Sequence, residues 1–299
     1  DPNKFDELLL ENKPNHMVGV PSHYGNIIHS KKLKNEDLSY VIAPTVGGDK
    51  MDENLEKETN EFLREHNCEY KVVKGYGMTE VNAAVAACTS NETNKIGSVG
   101  IPFPNTTISI FDPKTGEELG YNEKGEVCIT GPNTMLGYFN NDEETNKILR
   151  KHEDGNVWVH SGDIGYMDAD GNLYIVDRLK RMIIRPDGFK IFPSLIEDVV
   201  VKHPSVQSCK AVGLRDFSFS QGKLPKVHVV LNETDRNPEA IENEILMLCE
   251  EQLPEYYWPC EIEFNESLPL TPIGKIDYLK LEEEDYEKQL AATKKLVKK

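Results

Sequence analysis

Apolar positions divide the chain into stretches of different period. In FDELLLENK, Phe5, Leu8 and Leu9 are spaced for one helical face. HMVGVPSHYGNIIHS reads as a strand, a loop and a second helix. LSYVIAPT is a continuous apolar run, of the kind that forms a strand buried on both faces of a parallel sheet. Gly47-Gly48-Asp49-Lys50 follows, then a charged helix from about Asp52 to His66. EYKVV is a further strand, leading into a glycine-containing loop from Gly75 to Glu80. Strand, loop, helix, strand, loop is a doubly wound α/β pattern. Ligands of such sheets sit beyond the carboxyl ends of the strands.

From about residue 95 the pattern changes. TTISIFDPKTGEEL, GEVCITG and NLYIVD are short strands bounded by turns, which predicts a small β-rich, barrel-like subdomain. Two hairpins lie between His160 and Lys190. The first turns at Asp168-Ala169-Asp170-Gly171 and the second at Pro186-Asp187-Gly188, because Asp-Gly between apolar runs supplies the positive φ that a tight turn needs. Between them, Asp177-Arg178-Leu179-Lys180-Arg181 carries charge where a packed core wants apolar groups, which marks a domain boundary or hinge. After residue 180 the pattern is α+β. Ser194-Leu195-Ile196-Glu197 has the form of a capping box, with Leu195, Ile196, Val199 and Val200 facing inward. VQSCKAVGL and KVHVVLN are strands, Asn237-Pro238-Glu239 opens a helix, and LEEEDYEKQLAATKKLVKK is a last helix fraying into a solvated tail. The fold class is therefore α/β followed by α+β. Its expected domains are 1–177 (α/β over 1–92, β-rich over 93–177), a hinge at 178–180 and a small domain over 181–299.

The 299 residues suffice for two domains. A net charge of −17 argues against nucleic acid as a partner, since phosphate backbones attract basic surfaces. It also requires anionic ligands to be held by local cations. No apolar run approaches a membrane span, so a cytoplasmic protein is expected. The six cysteines are scattered without a CxxC pair, which reads as reduced thiols and sets a zinc site aside.

GDIGYMDADGNLYIVDRLKRMI resembles the core signature of adenylate-forming enzymes, the superfamily of acyl-CoA synthetases, luciferases and peptide-synthetase adenylation domains. YGMTE at Tyr76–Glu80, GPNTMLGYFNNDEET at Gly131–Thr145 and PLTPIGKID at Pro269–Asp277 resemble further motifs of that family in its order. Any one of these is weak, and YGMTE alone also reads as a strand-to-helix turn. The ordered series is not.

The resemblance implies an ATP-dependent acid–thiol ligase of the acyl-CoA synthetase kind, with ATP, Mg²⁺ and CoA. It implies that Gly48 lines the adenine and acyl pockets and that Tyr76 stacks on adenine. Gly77 would admit the nucleotide to the backbone, Thr79 would bond the α-phosphate, and Glu80 would ligate Mg²⁺. Asp163 would accept both hydroxyls of the ribose, Ile175 would pack near the base, and Arg178 would contact ribose or phosphate. Lys180 would be the hinge, Gly188 would line the CoA channel, and Lys275 would bridge carboxylate and phosphate as charge develops. The Gly131–Thr145 motif is read as scaffold. Many relatives carry a lysine just after the apolar triplet Met182–Ile184. Here Arg185 stands there, so Arg185 or Lys190 would have to substitute. Two rivals remain: activation of an amino acid or aryl acid for a carrier protein, and a non-catalytic nucleotide-binding homologue. Pro21–Asn26 and Gly47–Met51 do not specify the acid.

The family's serine/threonine/glycine-rich phosphate loop has no counterpart in these residues. A missing N-terminal half of the same protein is therefore expected as a partner. Residues 1–299 alone are expected not to catalyse ATP–pyrophosphate exchange. Robust exchange by this stretch in a radiolabel assay would contradict that expectation.

Overall fold

The computed structural model describes residues 4–90, 94–215, 221–232, 236–271 and 275–297, with side chains to 291 in the last stretch. It divides into two units, Asp1–Ile175 and Val176–Lys299. No helix among the described residues is long and apolar enough to cross a membrane.

The first unit opens with α1 (Phe5–Asn12), β1 (His16–Gly19), α2 (Pro21–Ile28), β2 (Ala43–Val46), α3 (Glu53–Glu65), β3 (Val73–Met78), β4 (Ala83–Ala87) and β5 (Ile101–Pro102). The strands form one sheet in that order. β1, β2 and β3 are parallel, and β4 and β5 join antiparallel. Leu9, Met17, Tyr24, Ile27, Leu38, Val41, Val46 and Leu63 make the core under the parallel part. In α1, Leu9 is buried and Phe5 and Leu10 pack half-buried against the same core, whereas Leu8 is exposed. Residues at i and i+4 share a helix face, which puts Phe5 and Leu9 on the core side. The apolar run at Leu38 is strand only from Ala43. Leu38 and Val41 fill the core from a turn in which Val41 N–H donates to Leu38 O at 2.9 Å. Asp52 caps α3, accepting from the N–H groups of Asn54 and Leu55.

The stretch expected as a glycine loop after EYKVV is strand. β3 pairs in parallel with β2 through Val73 and Lys74, then switches to antiparallel pairing with β4 from Gly75 to Met78. A buried ion pair holds this switch. Lys74 Nζ donates to Glu56 of α3, to Asn94 Oδ1 (2.8 Å) and to Lys95 O (3.1 Å). The Gly97 N–H donates to the other Glu56 oxygen at 3.0 Å.

The second sheet comprises β6 (Thr107–Phe111), β7 (Gly125–Thr130), β8 (Leu149–Lys151), β9 (Val157–Met167) and β10 (Leu173–Arg178), with α4 (Asp142–Ile148) before β8. Its order is β10-β9-β7-β6, with β8 also on β9. It is an open sheet: β6 and β10 end the order, and no described pair closes a barrel. β7 is buried on both faces rather than alternating, because Val127 and Ile129 pack into one cluster while Cys128 packs into another.

The β7–β9 ladder carries a bulge. Glu126 pairs with Ile164 and Cys128 with His160, so the two steps from 126 to 128 oppose four steps from 160 to 164. Gly162, in the middle, has φ +69°, a left-handed conformation that glycine adopts without strain. Glu126 fills the gap: Oε1 accepts the Gly162 N–H at 3.1 Å and Oε2 meets His160 Nδ1 at 2.8 Å. His160 Nε2 in turn faces His152 Nε2 at 2.9 Å. Burial alone would raise the Glu126 carboxyl, but the bond to His160 and its charge outweigh it and hold the group below its ordinary value. Desolvation, then the neighbouring His160, holds His152 below its free value of 6.5.

The second unit contains β11 (Ile183–Ile184), β12 (Lys190–Ile191), α5 (Pro193–Val200), β13 (Val206–Arg215), β14 (Lys223–Leu231), α6 (Pro238–Gln252), β15 (Glu261–Asn265) and α7 (Tyr278–Val297). The sheet runs β13-β14-β15, antiparallel then parallel. Ile191, Ile196, Val200, Val227, Val229, Ile241 and Ile245 form its core. The capping box at Ser194 does not form. The residue before α5 is Phe192, Ser194 Oγ donates instead to Val176 O at 2.6 Å, and Glu197 pairs with Arg181 (2.5 Å) and Lys210 (3.1 Å). Glu197 is called away by cations that lie far off in sequence. Asp177 accepts from the N–H groups of Ser194 (2.8 Å) and Arg178 (2.7 Å) and from Arg181 (3.1 Å), so the charged connector is folded against α5. Asn237 caps α6 through the Glu239 N–H.

Two outcomes follow. Removing one partner of a buried ion pair strands the other charge, so Glu56→Ala is expected to cost about 3–5 kcal/mol in urea unfolding. A loss below about 1 kcal/mol would mean that water replaces the carboxylate. For His152, the unfolded ring takes a proton at a higher pH than the folded ring. Its contribution is therefore complete above the free value of 6.5 and falls as pH drops through that value toward the folded one. The urea midpoint of the native chain should approach that of His152→Gln on acidification from about pH 8 to about pH 5. A gap that stays constant would contradict the assignment.

Candidate active site

Within the first unit, β3 and the bulged β9 bring two of the sequence candidates, Tyr76 and Asp163, into contact. Tyr76 lies on β3, and its hydroxyl donates to Asp163 Oδ2 at 2.6 Å. Asp163 is 3 % exposed, and its N–H donates to Ser161 Oγ at 3.0 Å. The Ser161 hydroxyl donates to Val127 O at 2.6 Å. The carboxylate is thus fixed from its own backbone and already engaged by a phenol, the kind of hydroxyl donor that a ribose diol also presents.

Thr79 and Glu80 lie in a single 3-10 turn, Thr79–Val81, between β3 and β4. Thr79 is exposed and Glu80 half-buried. Glu80 Oε1 accepts from the Tyr138 hydroxyl at 2.5 Å, which pushes the Tyr138 phenol up to about 12. The Met135 N–H donates to Glu80 O at 2.9 Å, and Asn133 Nδ2 to Val81 O at 3.1 Å. The Gly131–Thr145 segment, read from sequence as scaffold, therefore clamps the turn and orients the Glu80 carboxylate. Tyr138 was not among the sequence candidates. The glycine-tyrosine pair in that segment was the available signal.

Gly77 has a structural reason beside the one expected. A Cβ there would meet Ala83 O at 1.8 Å, so the hairpin partner requires glycine before any ligand does. Gly48 sits exposed after β2 with φ +77°. Ile175 packs half-buried against the core around Val127 and Leu173. Glu80 and Thr79 place hard oxygen atoms on consecutive residues, which is the donor chemistry that Mg²⁺ takes.

The second unit holds the remaining candidates. Arg178 and Lys180 are exposed on either side of Leu179. Gly188 closes the β11–β12 turn with φ +87°, in open space. Arg185 pairs with Asp187 at 2.9 Å and donates to Tyr256 O at 3.2 Å. Lys275 is half-buried, and Pro272, Ile273 and Gly274 before it lie outside the described residues. The Thr271 N–H donates to Lys275 O at 2.7 Å, and the Lys275 N–H to Thr271 Oγ1 at 3.2 Å.

Among the described residues, two groups of side chains of metal-ligating type also come together. Glu126, Cys128 and His160 lie within 4.8 Å of one another. Their spacing along the chain, which set zinc aside, did not anticipate this, because two strands supply them. Burial, then the Glu126 charge, raises the Cys128 thiol far above its ordinary value, so it stays protonated rather than offering a thiolate. His228, Glu263 and Asp285 form the second group, but the buried Lys226 ammonium already lies there, 2.7 Å from both Glu263 and Asp285. None of the six cysteines, all of them among the described residues, is joined in a disulfide.

Residues 1–139 match a family model described as AMP-binding enzyme, and residues 195–275 match AMP-binding enzyme C-terminal domain. The chain is 33 % identical over 287 residues to a long-chain-fatty-acid–CoA ligase of Bacillus subtilis, covering 96 % of this chain and 48 % of that protein. It is 33 % identical to 4-coumarate-CoA ligase 1 of Narcissus pseudonarcissus, covering 86 % of this chain and 45 % of that one. Among solved structures, ATP-bound MatB of Rhodopseudomonas palustris superposes with a TM-score of 0.81 at 25 % identity, over 95 % of this chain and 53 % of that one. The chain thus spans about half the length of the relatives it matches. With both family models matched in order, and with ligase relatives along nearly all of its length, the chain belongs to the family of AMP-binding, adenylate-forming enzymes.

Proposed function

We propose that this chain is the nucleotide-handling and small-domain portion of an acyl-CoA ligase, which activates a carboxylic acid as its adenylate and passes the acyl group to CoA. The observation that carries the proposal is the Tyr76–Asp163 bond beside the clamped Thr79–Glu80 turn. It gathers a flat aromatic face, a diol acceptor and hard oxygen donors within one unit. Family membership supports the same reading.

In this reading Asp163 accepts the ribose hydroxyls in place of the Tyr76 phenol. The Tyr76 ring faces the adenine, with Ile175 behind it, and Gly48 edges the pocket. Thr79 donates to the α-phosphate. Mg²⁺, when bound at Glu80, neutralises charge on the phosphate oxygens. Tyr138 keeps the Glu80 carboxylate turned toward that position. Arg178 supplies a local cation against a strongly acidic surface. Lys275 donates to the carboxylate and phosphate oxygens as they approach, which offsets the repulsion between two anions. Lys180 is the pivot that exchanges Lys275 for the CoA side, where Gly188 lies.

The acid is first to be sought among long-chain fatty acids, the class named by the Bacillus subtilis relative, and next among aryl acids, the class of the Narcissus relative. A phosphate-binding loop and an acid pocket are needed from elsewhere in the whole protein.

In the whole protein, Lys275→Ala is expected to reduce ATP–pyrophosphate exchange by ~10²-fold or more, while ATP still binds. Exchange at the native rate would remove Lys275 from the mechanism. Loss of nucleotide binding along with exchange would make it a structural residue.

A further inference from the structure

The β9 bulge is held by buried side chains of β7 and β9. The two extra residues on β9 take the Gly162 N–H out of the ladder, and a buried N–H without an acceptor costs about 1–3 kcal/mol. The acceptor is Glu126 Oε1 at 3.1 Å. An apolar residue at 126 would suit a strand buried on both faces, yet a carboxylate 5 % exposed stands there. Its second oxygen is taken by His160 Nδ1 at 2.8 Å, which fixes its rotation. Ser161 Oγ, bonded to Val127 O, accepts the Asp163 N–H. Both neighbours of Asp163 on its N-terminal side are therefore pinned to β7, one by a charge-assisted bond. The direction of the Asp163 carboxylate depends on that pinning.

We propose that Glu126 is a positioning residue for the nucleotide, and His160 its support: together they hold the bulge so that Asp163 presents its carboxylate to a vicinal diol. This rests on the assignment of Asp163 to the ribose. Neither residue touches substrate. Releasing the bulge lets the carboxylate swing, and a diol acceptor displaced by about 1 Å can no longer hold both of its hydrogen bonds at ordinary length.

The test is the selectivity of the whole protein for ATP over 2′,3′-dideoxy-ATP, read as a ratio of kcat/KM in pyrophosphate exchange. Asp163→Ala sets the value for a lost diol contact. Glu126→Ala is expected to raise KM for ATP by ~10-fold with kcat within about threefold, and to bring the selectivity ratio close to that of Asp163→Ala. Glu126→Gln keeps an oxygen for the Gly162 N–H and should recover most of the ratio. His160→Gln leaves Glu126 in place but unsupported and should fall between them, which covers the case in which Glu126→Ala does not fold. Native selectivity in both Glu126→Ala and His160→Gln, with the ratio collapsed in Asp163→Ala, would overturn the positioning role and leave the ribose assignment standing. Native selectivity in Asp163→Ala would overturn both.

Discussion

The arrangement of the first unit turns on the bulge where β9 outruns β7. Strands alternate their side chains strictly, so a regular ladder would place Ser161 and Asp163 on one face. Two additional residues, with a left-handed glycine between them, break that alternation. The break leaves an acidic side chain buried yet directed at Tyr76 on the neighbouring sheet. Tyr76 reaches that carboxylate from the strand that enters the antiparallel β3–β4 turn, whose close packing excludes a side chain at Gly77.

Buried charge is used in the same manner elsewhere. The chain is acidic overall, but several of its interior carboxylates are paired with cations. Glu56 meets Lys74, Asp177 and Glu197 meet Arg181, and Asp285 meets Lys226 and His228. Such pairs add little net stability over well-packed apolar groups, and breaking one is costly. Their effect is on register. Lys74 fixes the point at which β3 changes partners, and Arg181 ties the segment after β10 to α5. Lys74 stands two residues from Tyr76, and Arg181 stands one residue from Lys180 and three from Arg178.

The division of labour between the units matches the chemistry proposed for them. The first unit is rich in oxygen acceptors and fixed aromatic faces, which suit a neutral base and a diol. The second presents exposed or half-exposed cations, Arg178, Lys180 and Lys275, which suit phosphate and carboxylate oxygens. An enzyme that must bring two anions together needs both kinds of surface.

Much of this was legible in the sequence. Both Asp-Gly hairpins, the Asn237 cap and the order of the family motifs depend on short windows, and local turn chemistry decides them. The chemical identity of the candidate residues was legible for the same reason. The tertiary structure decided what depends on partners far along the chain. It turned the Leu38 run into a core-filling turn and the Gly75 loop into strand, and left the β sheet open. It also took Glu197 from a cap to an ion pair. Tyr138 and Glu126 gained their roles only when residues 58 and 36 positions away were folded against them. Sequence patterns report how a residue sits on its own element. Which distant group a buried carboxylate must satisfy is set by packing alone.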